Sequence, residues 1–189
     1  LHDNVGAGLT EISILSELTA TEVSEESNVS KNLTKISDLS RQLVESMSDI
    51  VWVVNPNRDS LYELIVRLKD SYSELFFEMG ITLQTSDLEK LVNIKIPMDV
   101  RQNLYLILKE SINNAVKHSS CKTITLDIAQ INKKMKIEIT DDGSGFKLNQ
   151  IRTGNGLYNM KQRADKINWK IRTDSEIGLG TKVTLEGKI

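Results

Sequence analysis

Two short stretches of the chain combine residue types that can bind a nucleotide. The first, ESINNAVKH at residues 110–118, places Glu110 and Asn114 four positions apart, so both side chains share one face of a helix. Carboxylate and amide oxygens are ligands for a hard cation, and a bound cation can hold phosphate. Lys117 and His118 follow in the same stretch. This pattern indicates the phosphate and metal end of a pocket.

The second stretch, DDGSGF at residues 141–146, directly follows a predicted strand and carries Asp141, Gly143 and Gly145. Glycines let a flat base lie close to the backbone, and a carboxylate accepts a hydrogen bond from an exocyclic amine. Asp-Gly alone is equally typical of a plain turn between strands. Only together with the first stretch does it predict a nucleotide pocket.

Two more glycine patterns occur later in the chain. GNG at residues 154–156 precedes a predicted helix that begins near Leu157, and backbone N–H groups at a helix start attract phosphate. GLGT at residues 178–181 precedes the last predicted strand. Each is also compatible with a simple connector. Their order after a Glu-x-x-x-Asn helix is the specific signal.

The N-terminal third reads as two helices joined by a short acidic loop. Apolar residues recur every three or four positions over residues 3–20, which predicts the first helix. The second helix carries a heptad seam interrupted only by Ser40 and formed by Val29, Leu33, Ile36, Leu43, Met47, Ile50 and Val54. One hairpin has too little core to stand alone. We therefore expect a homodimer in which two hairpins form a four-helix bundle.

A domain boundary is predicted at NPNRDS, because Pro56 cannot continue a helix. The predicted domains are residues 1–56, a dimerisation hairpin, and residues 57–189. Ser60 and Glu63 form a capping-box pattern for a helix that reaches about Met79.

The remaining residues alternate strands and helices, which predicts an α/β sandwich. The predicted helices cover residues 98–118 and the pattern from Leu157 to Ile167, and residues 143–155 are predicted to form a loop. The predicted strands are residues 81–85, 92–96, 122–129, 135–140, 169–173 and 181–185.

Bulk properties exclude several classes of function. A formal net charge of −2 over 189 residues gives no electrostatic case for binding nucleic acid. The single cysteine, Cys121, suits a reducing compartment, and we expect a cytoplasmic location. No apolar run approaches the ~20 residues of a membrane span. Because the chain begins at Leu1 inside a predicted helix, we expect it to be part of a longer protein that contacts a membrane only through upstream regions.

Residues 81–189 resemble the ATP-binding domain of the GHKL superfamily, which includes histidine kinases, gyrase-type ATPases and chaperones. ESINNAVKH resembles the N box of that family, and DDGSGF, GNGL and GLGT resemble its three glycine boxes. The N-terminal LHDNVGAGL resembles the phosphoacceptor box of sensor histidine kinases with a His-Asp dipeptide, which usually signal to NarL-type response regulators. The resemblance thus covers nearly the whole chain.

The resemblance implies ATP and Mg²⁺ as cofactors. It assigns Asn114 to the metal, Asp141 to the adenine amino group and Glu110 either to a metal-bound water or to the orientation of Asn114. Asn113 is a neighbour that could share the metal role. The other implied nucleotide-binding residues are Lys117 and His118 near the phosphates or ribose, Gly143 and Gly145 beneath the base, Gly154, Gly156 and Leu157 at the phosphate side, and Thr181 at the adenine end.

His2 and Asp3 are the predicted phosphoacceptor pair. A neutral imidazole nitrogen is a nucleophile, and the neighbouring carboxylate can take or orient the proton on the other nitrogen. Without the dipeptide and the hairpin, a histidine at this place would be read as a surface residue. The catalytic residues expected from the sequence are therefore His2, Asp3 and Glu110.

The sequence predicts the core of a two-component sensor histidine kinase that phosphorylates His2 from ATP and passes the group to an aspartate of a response regulator. Two alternatives remain. One is a GHKL-type ATP hydrolase with Glu110 as general base, and the heptad hairpin argues against it. The other is a degenerate dimerising module that binds ATP without catalysis, and the intact nucleotide motifs argue against that.

Overall fold

The structure is a computed structural model that describes residues 2–23, 27–55, 59–131, 134–147 and 156–189; the side chains of residues 2–4, 45 and 131 lie outside this description. The chain forms two compact units, Leu1–Asn55 and Pro56–Ile189. Pro56, at the predicted domain boundary, lies outside the described residues. Within the described ranges, no helix combines the length and the apolar character needed to cross a membrane.

The first unit is a pair of helices, α1 at His2–Thr21 and α2 at Asn28–Val54, which pack along each other. Both predicted helices are confirmed. Ser27 caps α2, because its hydroxyl oxygen accepts a hydrogen bond from the Ser30 N–H at 3.0 Å.

Small polar side chains, rather than the predicted apolar seam, occupy the contact between α1 and α2. Ser13 Oγ lies 3.0 Å from Ser37 Oγ, and Ser37 is 2% exposed. Ser40, which the sequence pattern treats as an interruption of the seam, is also buried. Five seam residues are instead 43–56% exposed, namely Val29, Ile36, Leu43, Ile50 and Val54. One hairpin therefore leaves an apolar face of α2 uncovered.

The second unit begins with α3 at Leu61–Met79. The predicted capping box is present, because Ser60 Oγ accepts a hydrogen bond from the Glu63 N–H at 3.2 Å. Gly80, with φ 66°, ends the helix in the left-handed conformation that glycine tolerates.

A five-stranded sheet and two further helices follow α3. The strands are β1 at Thr82–Thr85, β2 at Thr123–Ile131, β3 at Lys134–Asp141, β4 at Lys170–Glu176 and β5 at Gly180–Lys188. The helices are α4 at Met98–His118 and α5 at Gly156–Lys166. The sheet order is β1-β2-β3-β5-β4, with β1 parallel to β2 and the other pairs antiparallel.

The helices and the sheet form two layers. α3 contacts β1, α4 contacts β3, and α5 contacts both α4 and β4. Alternate residues of β3 point into this core, where Met135, Ile137 and Ile139 are buried. The prediction of a helical N-terminal part followed by an α/β sandwich is confirmed. The dimeric four-helix bundle requires a second chain and stays a prediction.

The strand predicted at residues 92–96 is wrong. A short 3-10 helix occupies Leu88–Leu91, and the segment after it makes only an isolated bridge between Lys95 and Ser60. The Ile96 N–H donates to Asp59 O at 2.8 Å, so the backbone of this segment binds the entry to α3 instead of a sheet strand. Its apolar residues do not share one buried face, because Ile96 is buried whereas Val92 is 48% exposed.

Candidate functional site

A cavity of about 640 Å³ in the second unit brings most of the predicted nucleotide-binding residues together. Nine of them line it, contributed by α4, β3, α5, β5 and the loop after β3: Glu110, Asn114, Lys117, His118, Asp141, Gly145, Gly156, Leu157 and Thr181. The lining also includes Asn113, which the sequence offers as a neighbour of Asn114, and residues that sequence reasoning missed, among them Phe146, Met160, Thr173 and Val183.

Four predicted residues are not part of this lining. Gly143 is buried beside the cavity, and Gly154 lies outside the described residues. His2 and Asp3 belong to the first turn of α1 in the other unit, and their side chains are outside the description.

Helix α4 presents its polar residues to the cavity because its apolar residues are held in the core. Leu104, Leu108 and Ile112 are buried. Glu110, Asn113, Asn114 and Lys117 fall at spacings of three and four, so they share the face that borders the cavity.

Asp141 places a carboxylate in the wall of the cavity. It ends β3 on the inward side of the strand and is 5% exposed. The Gly143 N–H donates to Asp141 Oδ1 at 3.0 Å. Burial raises the pKa of Asp141 above its usual value, and the hydrogen bond from Gly143 opposes that rise. The remaining acceptor capacity of this carboxylate can receive a hydrogen bond from a ligand in the cavity.

The glycines of the first box are required by packing between loops. A Cβ on Gly143 would lie 2.6 Å from Ser119 Oγ, and a Cβ on Gly145 would lie 2.8 Å from Gly180 O. Gly145 also has φ 58°. A Cβ on Gly180, at φ 77°, would lie 3.1 Å from Gly143 N. The first and third glycine boxes are therefore packed on each other, which sets the position of Asp141.

Ser175 of β4 makes several hydrogen bonds beside the part of the cavity that Gly145, Phe146 and Thr181 line. Its hydroxyl oxygen accepts from the Phe146 N–H at 2.9 Å, and its hydrogen is donated to Gly180 O at 3.0 Å. Thr181 Oγ1 lies 3.0 Å from the same oxygen. Since Ser175 has one hydrogen, already given to Gly180, the Thr181 hydroxyl is the donor in the third bond. Thr181 then has only acceptor capacity left for the cavity.

The second glycine box meets the N box at the opposite end. A Cβ added to Gly156 would clash with the carboxylate of Glu110 and lie 3.6 Å from Asn114 Nδ2. The start of α5 therefore lies directly against the Glu110 and Asn114 pair. Backbone N–H groups at this helix start face a surface with oxygen ligands.

Asn113 differs from Asn114 in its contacts. The Tyr72 hydroxyl of α3 donates to Asn113 Oδ1 at 2.7 Å. This hydrogen bond holds the Asn113 oxygen toward α3, so Asn114 is the better candidate of the two for a metal.

The donor set fits Mg²⁺ held jointly with phosphate. Within the described ranges, no group of three or more His, Cys, Asp or Glu side chains could hold a metal alone. Mg²⁺ commonly takes one or two protein oxygens and fills its shell with water and substrate phosphates. Glu110 and Asn114 supply oxygens of that kind beside the start of α5.

Comparison with known proteins places this site in a family. Residues 99–188 match the family model of the histidine kinase-, DNA gyrase B- and HSP90-like ATPases. Two relatives from Bacillus subtilis (strain 168) are the sensor histidine kinases ComP, 26% identical over 98% of this chain, and LiaS, 29% identical over 63%. The chain covers 25% of ComP and 33% of LiaS, so it spans a third or less of these relatives.

Solved structures share the fold at low sequence identity. The histidine kinase domain of the Erythrobacter litoralis EL346 blue-light activated kinase has a TM-score of 0.59 at 15% identity, with 94% of each chain covered. Acinetobacter baumannii AdeS has a TM-score of 0.61 at 14% identity, covering 100% of this chain and 95% of that one. Full-length ShkA in complex with AMPPNP gives 0.62 at 16% identity, covering 99% and 44%. Residues 99–188 thus carry a histidine kinase-, DNA gyrase B- and HSP90-like ATPase domain, and the chain is similar over 98% of its length to part of a sensor histidine kinase.

Proposed function

We propose that the second unit binds ATP with Mg²⁺ and that the chain transfers the γ-phosphoryl group of ATP to His2. The observation that carries the proposal is that the buried Asp141 and the Glu110–Asn114 pair open into one cavity. A nucleoside triphosphate suits this cavity, because one part of the wall offers a carboxylate to the base and another part offers oxygen ligands to a metal. The AMPPNP complex of ShkA, a protein of the same fold, supports this choice.

Adenine is the base that the hydrogen-bond pattern favours. An ionised Asp141 offers only acceptors, and the Ser175 hydrogen bonds leave Thr181 with only acceptor capacity. The exocyclic amine of adenine has two hydrogens to donate. Guanine would present a carbonyl oxygen at that position, which has no hydrogen to donate and is repelled by the carboxylate, so the base would lose its hydrogen bond to Asp141.

The other end of the cavity is suited to the phosphates. Lys117 is a cation on the cavity wall, and Gly156 lets the start of α5 approach Glu110 and Asn114. When bound, Mg²⁺ would supply neutralisation of phosphate charge. Asn114 would ligate it through its amide oxygen. Glu110 would orient a water in the metal shell or hold Asn114 in place.

The phosphoacceptor assignment rests on the His-Asp dipeptide and on the kinase relatives. One imidazole nitrogen of His2 attacks the γ-phosphorus, the bond to the bridging oxygen breaks, and ADP leaves. Asp3 takes or orients the proton on the other nitrogen. The phosphoryl group then passes to an aspartate of a response regulator, of the NarL type by the resemblance of the His-Asp box. As ATP is the donor, the proposed place of action is the cytoplasm.

The hairpin is proposed to act as a homodimer. The uncovered apolar face of α2 fits a second copy of the same hairpin, which would close a four-helix bundle. The boundary between the domains is proposed near Pro56, in agreement with the extents of the two compact units.

Labelling with [γ-³²P]ATP separates the proposal from its alternatives. The kinase should give an acid-labile, alkali-stable phosphoprotein that His2→Ala abolishes while ATP binding survives. An ATP hydrolase would release free phosphate in a reaction that Glu110→Gln slows and His2→Ala does not. A degenerate module would bind ATP and give neither product.

A further inference from the structure

The cavity face of α4 carries two neighbouring rows of polar side chains with opposite hydrogen-bonding character. One row is the pair of oxygen ligands, Glu110 and Asn114. The other is Asn113 and Lys117, again four positions apart and also lining the cavity. Lysine only donates, whereas an asparagine amide can donate or accept. What the second row can bind therefore depends on how Asn113 is oriented.

Tyr72 determines that orientation. Its hydroxyl lies 2.7 Å from Asn113 Oδ1 and 3.2 Å from Lys109 O, and both atoms are acceptors. The hydroxyl has one hydrogen, and the shorter contact takes it. In the part of the chain that the structure describes, the bond from Tyr72 is the one hydrogen bond that the Asn113 side chain makes.

The tyrosine is rigidly held and can impose this geometry. It is 5% exposed, and its ring stacks on Phe76 with 5.5 Å between the ring centroids. Because the asparagine amide is planar, an oxygen held toward Tyr72 leaves the NH₂ group as the polar atom that Asn113 offers to the cavity. An NH₂ group cannot ligate a cation, but it can donate to a phosphate oxygen.

We infer that Asn113 is a phosphate-binding donor of the nucleotide site, distinct from the metal ligand Asn114, and that Tyr72 is the positioning residue that fixes its amide. This inference rests on the proposed ATP function and adds a division of labour to it. Glu110 and Asn114 serve the cation, while Asn113 and Lys117 serve the anionic oxygens. Two asparagines adjacent in sequence thus have different partners.

Binding measurements on the whole chain can separate the two roles. ATP and adenosine are titrated by calorimetry into the parent, Asn113→Ala, Asn113→Asp and Asn114→Ala, each with Mg²⁺ and with a chelator. The Asn113→Ala variant should bind ATP about tenfold more weakly than the parent, with and without Mg²⁺, because it loses a hydrogen bond to a charged phosphate oxygen. Asn113→Asp should weaken it further by charge repulsion, and adenosine binding should stay unchanged in both. Asn114→Ala should instead remove the advantage that Mg²⁺ gives.

A double-mutant cycle tests the positioning role of Tyr72. Tyr72→Phe should weaken ATP binding about threefold, because the Asn113 amide would lose its fixed orientation but would still be present. In the Asn113→Ala background the same substitution should have no further effect. Tyr62→Phe, on the same helix, is the matched control and should match the parent. An equal effect of Tyr72→Phe in both backgrounds would show that Tyr72 only stabilises the packing of α3 against α4. That result would overturn its role in positioning Asn113.

The remaining outcomes are also decisive. Loss of the Mg²⁺ advantage in Asn113→Ala would make Asn113 a metal ligand and overturn the inference. Unchanged ATP affinity in Asn113→Ala and Asn113→Asp, with a parent that binds ATP, would overturn the inference and leave the proposed function standing. A parent that binds no ATP would overturn both.

Discussion

The two units of this chain bury opposite kinds of side chain. The hairpin places serines such as Ser13 and Ser37 in its helix contact and leaves Leu43 and Ile50 uncovered. The second unit, here called the ATPase unit, does the reverse. Its strand β3 buries Ile137 and the neighbouring apolar residues, while polar residues of the unit line one cavity. Burial of apolar surface is the main stabilising force in folding. The second unit therefore has an apolar core of its own, whereas the hairpin needs a further surface to cover its apolar face.

The largest effect is expected from a charge in the core of the ATPase unit. Ile137 is fully buried, and Ile137→Asp would place an unpaired carboxylate there at a cost of at least about 4 kcal/mol. This unit should unfold and nucleotide binding should be lost, as circular dichroism and calorimetry would record. A variant that keeps a cooperative transition and binds ATP like the parent would show that this core is not what holds the unit together.

The same kind of change in the hairpin should act on assembly and not on the fold of the second unit. Leu43 is 51% exposed in one chain, so Leu43→Asp should convert a dimer to a monomer while ATP binding stays at the parental level. Light scattering gives the mass. Gln42→Asp, which adds one negative charge at an exposed residue of the same helix, is the matched control. A Leu43→Asp protein that stays dimeric would place the interface elsewhere.

Two glycines in the turn before β5 allow backbone strain to be separated from packing. Both have positive φ, 84° at Gly178 and 77° at Gly180, but only Gly180 faces other atoms where a Cβ would lie. Gly178→Ala should cost about 1–2 kcal/mol of unfolding free energy. Gly180→Ala should cost about 1–3 kcal/mol more through overpacking and should also weaken ATP binding, because it displaces Asp141. Equal losses in thermal unfolding would contradict the proposed packing of the two glycine boxes.

The smallest effect concerns the ionisation of Asp141. Burial raises its pKa in the unliganded site, and the ionised form is the one that accepts from the adenine amine. The affinity for adenosine should therefore be highest above this raised pKa and should fall as the pH is lowered through it. The fall should occur at a higher pH than an ordinary aspartate would give. Adenosine is the ligand of choice because it has no phosphate to titrate. Asp141→Asn should bind weakly with no such pH dependence, and an equal slope in both proteins would assign the titration to another group.

Features set by local chemistry could be predicted from the sequence. The cap at Ser60, the end of α3 at Met79 and the bounds of α4 agree with the structure because each depends on residues within a few positions. The members of the cavity could be predicted for the same reason, since each motif is local. The heptad pattern likewise indicated a continuous apolar face on α2.

Features set by single contacts between distant residues could not be predicted. Tyr72 meets Asn113 across 41 positions, and Ser175 meets Phe146 across 29, and an isolated hydroxyl leaves no periodic signal in a sequence. The serine contact inside the hairpin was missed because a hydrophobic pattern finds apolar faces and ignores small polar ones. The strand predicted at residues 92–96 failed because its alternation resembles that of a strand, while its hydrogen bonds go to the entry of α3.

The central claim is that this cavity recognises adenosine triphosphate through Asp141. Calorimetric titration of the parent with ATP and GTP in the presence of Mg²⁺ tests it most directly, with Asp141→Asn as the matched variant. ATP should bind at least about tenfold more tightly than GTP, since the carbonyl oxygen of guanine cannot donate to the buried carboxylate and is repelled by it, and Asp141→Asn should lose most of that difference. Equal affinity of the parent for ATP and GTP, or binding of neither, would contradict the account.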